Sequence, residues 1–111
     1  ALPDSERLVL EVTKLLREDF LQQNAYHDVD AFCSIKKQYL MLKLILEFYS
    51  LAQQSLESGT SIDAIPGMKI KDDIARMKEH PNDTFEKHYT DLLNKMKAEF
   101  KKINVSGDTN E

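Results

Sequence analysis

The sequence predicts an all-α protein, a small bundle of four main helices plus one short helical turn, packed around a long second helix. Apolar residues recur at three- and four-residue steps over several stretches, the period of one helix face. No segment alternates apolar and polar side chains for long enough to make a convincing strand. With 31% charged residues and only three glycines, the 111 residues have the composition of a soluble helical domain. At that length one domain is expected, with about 60–70% of the unfolded surface hidden on folding.

Taken in order, Pro3, Asp4 and Ser5 precede the first periodic stretch, and an Asp or Ser cap after proline marks a helix start near Ser5. Leu8, Val12, Leu15, Leu16 and Phe20, with Val9 alongside, form its buried stripe; Glu11, Lys14, Arg17 and Glu18 are left for solvent. From Leu21 to Cys33 the period is lost. Gln22, Gln23, Asn24, Asp28 and Asp30 carry groups that compete with helical backbone bonding, so a structured loop is expected there. Ser34 is expected to cap the long central helix, from Ile35 to about Leu56, which Gly59 ends. Tyr39, Leu40, Leu42, Ile45, Leu46, Tyr49 and Ala52 give it more than one apolar face, with Met41, Leu44, Phe48 and Leu51 on the flanks.

Gly59 to Met68 is a connector in which Ser61 caps one turn of helix and Pro66-Gly67 has the order of a type II turn. A short helix follows over Lys69 to Glu79, with Ile70, Ile74 and Met77 inward and Pro81 after its end. Asp83 and Glu86 have capping-box spacing before the last helix, which carries Phe85, Tyr89, Leu92, Leu93, Met96, Phe100 and Ile103. From Asn104 the period ends and a frayed tail is expected, giving a helical domain over 1–105 and a disordered tail over 106–111.

Composition excludes several classes of function. The net charge of −4 argues against a nucleic-acid footprint, which needs clustered Lys and Arg. A single cysteine cannot form an internal disulfide, as expected of a reducing compartment. LMLKLILEFY, interrupted by Lys43 and Glu47, is too short to span a membrane, and the N-terminus has no secretory signal. The sequence opens on Ala1, which is consistent with removal of an initiator Met and equally with a start inside a longer protein.

Chemistry-bearing motifs are sparse. Glycines at 59, 67 and 107 cannot form a phosphate-cradling GxxxxGKT or GxGxxG loop, and GxSxG, HExxH and paired-Cys patterns are missing. His27, Asp28, Asp30 and Cys33 offer mixed zinc-type donors without the paired spacing of a structural site, and read more simply as a capped loop. Cys33 and His27 lack the third group and oxyanion site of a nucleophilic pair. Lys95, Lys97, Lys101 and Lys102 read as a solvated helix end opposing the dipole. The sequons at Asn82 and Asn104 carry no meaning without secretion. Phe20 and Tyr26 are open to two readings: core plugs, or a stacking platform for a planar base.

The string LREDFLQQNAYHDVDAFCS, followed by KKQYLMLKLILEFY, resembles the C-terminal region of the catalytic A subunit of archaeal A-type and related V-type ATP synthases. The likeness takes in LPDSERLVLEV, DDIARMKEH and the closing helix, from Ala1 to about Val105. It implies an excised helical domain without the family's P-loop domain. The parent complex would be a proton- or sodium-translocating ATPase using ATP or ADP with Mg, whereas this chain would hold no cofactor and do no catalysis itself. In the related F-type subunit two phenylalanines six residues apart face the adenine, which implies that role for Phe20 and Tyr26, with Ala25 between them. An acidic DELSEED segment there pushes on the rotor, and the alignment of Leu2 to Arg7 with its latter part implies rotor contacts for Asp4, Glu6 and Arg7. The implied partners are the nucleotide-binding domain of the same subunit, the central-stalk subunits and the non-catalytic B subunit. Neither nucleic acid nor direct membrane insertion is implied, and the location would be cytoplasmic, at the peripheral ATPase head. The rival expectation is a free-standing helical interaction module with no nucleotide role.

Overall fold

The structure, a computed structural model, describes residues 3–17 and 31–109, and the side chains of 3–17 and 35–104. Among the described residues there are four α-helices and no strand: α1 (Asp4–Leu15), α2 (Ala31–Glu57), α3 (Lys69–Arg76) and α4 (Phe85–Thr109). Two 3-10 turns flank α3, Ile62–Ala64 before it and Met77–Glu79 after it. The expected short helical turn is the first of these; the second replaces the last turn of the third helix.

Helix α1 starts one residue earlier than its expected cap. Pro3 holds the N-cap position with φ −57° and ψ 152°, makes no side-chain cap, and its carbonyl accepts from the amides of Glu6 and Arg7 at 3.0 Å each. Proline's fixed φ and missing N–H suit a helix start. Asp4 and Glu6 thus lie inside the first turn, where carboxylates favourably oppose the positive end of the dipole. Leu8, Val12 and Leu15 are buried as the period predicts, while Val9 is 48% exposed.

Helix α2 already includes Ala31 to Cys33, so Ser34 lies in its first turn instead of capping it. Alanine is the strongest helix former, and upstream extension gains one backbone bond per residue. The buried stripe is Leu40, Met41, Leu44, Ile45, Phe48 and Ala52, so Met41, Leu44 and Phe48 are central to it and not on its flanks. Tyr39 and Leu46, two of the residues expected to give α2 more than one apolar face, are 60% and 52% exposed. The C-terminus of α2 closes as a Schellman motif. Gly59 takes φ +102°, the Thr60 amide donates to the Ser55 carbonyl at 3.0 Å, and the Gly59 amide donates to Leu56 at 3.1 Å.

In the connector, Ser61 Oγ accepts from the Asp63 amide at 3.2 Å, as its capping role predicts. The Pro66-Gly67 turn is closed by the Met68 amide on the Ile65 carbonyl at 3.2 Å, but Gly67 has no positive φ, so it is not type II. The backbone after α3 tightens to 3-10 and leaves the helix at His80 (φ −74°, ψ 141°), because Pro81 bars the residue before it from helical geometry. The Asp83–Glu86 capping box is not formed. The Thr84 carbonyl starts the α4 ladder by accepting from the His88 amide at 3.1 Å, and Glu86 reaches across to Lys36 at 3.2 Å. Helix α4 continues past Asn104 to Thr109, since a helix once started extends without needing an apolar face.

The extents of 52 × 29 × 17 Å allow two helix layers in the thinnest direction. Helices α2 and α4 run parallel: Lys36 meets Glu86 near their N-termini, and Thr60 Oγ1 donates to Asn104 Oδ1 at 2.8 Å just beyond the end of α2. Between those ends the Phe48 and Phe100 rings pack at 5.4 Å with a 59° tilt, a favoured aromatic geometry. Helix α1 runs antiparallel to α2, its start lying beside the connector that follows α2.

Candidate functional site

Two positions were expected to matter, and both belong to α1 or to the chain that follows it. The adenine-facing residues Phe20, Ala25 and Tyr26 lie outside the described residues, as do His27, Asp28 and Asp30 of the mixed-donor cluster and the side chain of Cys33. The structure does define what flanks them. Leu15 is buried, Leu16 packs against the core, and the last described turn at Leu16 and Arg17 widens to a π turn, a feature often found beside functional sites. On the other side α2 begins at Ala31.

At the opposite end of α1, Asp4 and Glu6 are exposed. Arg7 is half-buried and its Nη2 meets Asp63 Oδ1 at 3.0 Å, fixing the helix start to the connector. One turn further, Glu11 Oε2 accepts from Lys71 Nζ at 2.7 Å, with both side chains largely withdrawn from solvent. These two ion pairs bolt α1 to the connector and to α3 along its length.

Sequence reasoning did not reveal how α3 is held. Glu99 of α4 accepts the amides of Lys69 and Ile70 through its two carboxylate oxygens, each at 2.9 Å, at the α3 N-terminus where orphan donors and the helix dipole attract negative charge. No local motif could announce it, because donor and acceptor are thirty residues apart.

A cleft of about 350 Å³ opens between the end of α3 and α4, where His80 and His88 stack with ring centroids 3.6 Å apart and planes at 12°. Burial, and then the neighbouring His88, hold the His80 pKa below the ordinary imidazole value; Glu79 opposes this and Lys37 adds to it. Asp73 and Lys95 form an ion pair at 3.1 Å on the cleft wall. Lys97, Lys101 and Lys102 are exposed and form a solvated face, but α4 runs on to Thr109 with no basic residue in its last turn, so they do not stand at the helix end opposing its dipole as expected. Among the described residues no group of three His, Cys, Asp or Glu is arranged to hold a metal, and no helix is long and apolar enough to cross a membrane.

Comparison with known proteins gives this frame a family. Residues 1–66 match the family described as the C-terminal domain of V and A type ATP synthase. The chain is 46% identical over 103 residues to the A subunit of the A-type ATP synthase of Methanopyrus kandleri, covering 93% of this chain and 17% of that protein. It is 48% identical over 100 residues to the corresponding protein of Methanococcus vannielii, covering 89% of this chain and 17% of the relative. With the corresponding protein of Staphylothermus marinus it shares 40% identity over 109 residues, or 98% of this chain and 18% of that protein. The chain thus spans about a sixth of the relatives it matches. Its matched residues hold all of α1, all of α2 and the part of the connector, at Asp63, to which Arg7 is bound. The chain belongs to the family of C-terminal domains of V and A type ATP synthases.

Proposed function

We propose that this domain, as part of a full-length catalytic A subunit, closes over the adenine of a bound nucleotide and transmits that closure to a central stalk. The observation that carries the reading is the mounting of α1. Its exposed acidic first turn, with Asp4 and Glu6, lies at one end, and the stretch with Phe20, Ala25 and Tyr26 follows the other. The helix between them is about 18 Å long and is held to the rest of the domain by Leu8, Val12 and two ion pairs. A helix fixed in this way moves with its domain, so displacement at the aromatic end reaches the acidic end.

In this reading Phe20 and Tyr26 stack on the base with Ala25 between them, and Asp4, Glu6 and Arg7 meet the rotor. Arg7 has a second duty, its bond to Asp63. ATP or ADP with Mg is held by the nucleotide-binding domain of the same subunit, and the chemistry belongs there. With the general base and the phosphate ligands assigned to that domain, occupancy shifts this one between open and closed populations through differential contacts. The central-stalk subunits and the non-catalytic B subunit complete the assembly, in a cytoplasmic head peripheral to the membrane that couples ATP turnover to proton or sodium transport.

The test is Phe20→Ala in the full-length subunit. Losing about 1–3 kcal/mol of stacking is expected to raise the nucleotide KM by about 5- to 150-fold. An unchanged KM assigns Phe20 to the core. The isolated chain is expected neither to hydrolyse ATP nor to bind it below millimolar concentration; saturable micromolar binding in calorimetry overturns the division of labour.

A further inference from the structure

We propose that the junction between the end of α3 and α4 is a proton-operated latch, closed while His80 and His88 stack and released locally when both rings carry a proton. The start of α3 is anchored by Glu99 on its first two amides and by the Lys71–Glu11 pair. Its end is not anchored in that way. After Ile74 only Met77 is buried before the chain reaches Phe85, and from Pro81 to Thr84 every residue is exposed. The Asp73–Lys95 pair bridges to α4, but Lys95 is 66% exposed, so water screens it. The backbone here tightens into the 3-10 turn Met77–Glu79, a form often found at hinges, and Pro81 stops it from continuing as helix.

The His80–His88 stack is the contact that closes this hinge. Centroids 3.6 Å apart and planes at 12° put the two rings face to face in van der Waals contact. Two neutral rings, or one imidazolium on one imidazole, stack without like-charge repulsion; a second proton sets two cations against each other at that distance. Charged groups face the pair from each neighbouring element: Asp73 and Arg76 from α3, Glu79 from the turn, Asp91 and Lys95 from α4, and Lys37 from α2. Three carboxylates stand against three cations, so the surroundings nearly cancel and the repulsion within the pair decides. Burial, and then His88, already disfavour a proton on His80.

Opening the stack hydrates both imidazolium rings and uncovers the floor of the cleft, where Met77 and Leu92 are 2% and 7% exposed. The rest of the core is built elsewhere, with Leu44, Ile45 and Phe48 fully buried on α2 and Ile70 at the anchored end of α3. Segments with few buried contacts open on their own, at a lower free energy than global unfolding. Acid therefore acts on the end of α3 first. Release sets in as pH falls below about 6.5, the ordinary imidazole value, because the open state takes up the proton that the stack resists. The latch uses none of Phe20, Ala25 and Tyr26, so it stands apart from the adenine lid.

The test is amide hydrogen exchange of the 111-residue chain, followed by NMR at pH 7.5 and pH 5.5 and expressed as protection factors, which remove the intrinsic pH dependence of exchange. The Met77 and His80 amides donate to the Ile74 and Met77 carbonyls and so report on the hinge. On acidification they are expected to lose about threefold or more protection beyond any loss at the Phe48 amide in α2. His80→Gln is expected to abolish this excess, and His88→Gln, which removes the repulsion but not the burial, to diminish it. Equal losses at the hinge and at Phe48, no loss on acidification, or an excess unchanged in His80→Gln or in His88→Gln overturns the latch. The first comparison uses only the unsubstituted chain, so it decides the proposal even where a variant does not fold.

Discussion

Glu99 and Ile70 meet at 2.9 Å, carboxylate to backbone amide, and the other oxygen of Glu99 takes the amide of Lys69 at the same distance. One side chain on α4 thereby satisfies two orphan donors of α3, an eight-residue helix too short to be stable alone. Glu99→Ala leaves the Ile70 amide part-buried without its partner, and a loss of about 1.5–3 kcal/mol is expected in urea unfolding. Glu99→Gln keeps an acceptor without the charge and should cost about half as much. Equal losses for the two would refute a charge-assisted cap.

The two ion pairs that fix α1 differ in solvation, and that decides their worth. Lys71–Glu11 has side chains 17% and 20% exposed at 2.7 Å, whereas Arg7–Asp63 is 42% and 78% exposed. Water and salt screen the second pair, so its coupling in a double-mutant cycle should be about 0–1 kcal/mol and fade in 1 M salt. The first pair should couple more strongly and survive salt. If lever motion depends on α1 being fixed, Lys71→Met should impair coupled ATP hydrolysis in the full-length subunit more than Asp63→Ala does.

Gly59 occupies a position that only backbone conformation demands. Its φ is +102°, and a Cβ built there meets nothing within 4 Å, so any penalty on substitution is torsional and not steric. Gly59→Ala should therefore destabilise the chain by about 1–2 kcal/mol, against a near-neutral Gly67→Ala, where φ is not positive and a Cβ is equally free. Matched urea titrations of the two variants separate the effects.

Legibility in the sequence followed the range of each interaction. The α1 and α4 stripes were readable because burial on one face repeats with the helical period: Leu8, Val12 and Leu15, and Phe85, Tyr89, Leu92, Met96 and Phe100, are all buried. Helix α2 was readable in extent but not in orientation. Apolar residues on both its sides leave the period unable to say which side meets α1 and α4, and of the positions that give it more than one apolar face, Tyr39 and Leu46 are exposed. Local caps succeeded where competition was absent, as at Ser61, and failed at Glu86, which a lysine on another helix claims. The stacked His80 and His88 left no local trace because Pro81 breaks the helical register between them. The family resemblance reached further than periodicity, since matching residue strings carry the record of a whole fold where a period carries only one face.

The His80–His88 stack makes stability depend on pH in a definite direction. Burial, and then His88, depress the His80 pKa in the folded chain below the ordinary value of about 6.5. In the unfolded chain that imidazole binds its proton first as pH falls. The unfolded state therefore holds more protons between the two pKa values, and stability rises with pH across that window. The contribution of His80 is complete above about pH 6.5 and is lost as pH falls toward the folded pKa. A higher urea midpoint at pH 7.5 than at pH 6 is expected, and His80→Gln should shrink the difference. His88→Phe keeps an aromatic ring against His80 but removes its charge, so the His80 pKa, followed by proton NMR, should rise yet stay below the ordinary value because burial is the larger cause. A midpoint that is higher at pH 6, or a His80 pKa unmoved by His88→Phe, would contradict this account of the pair.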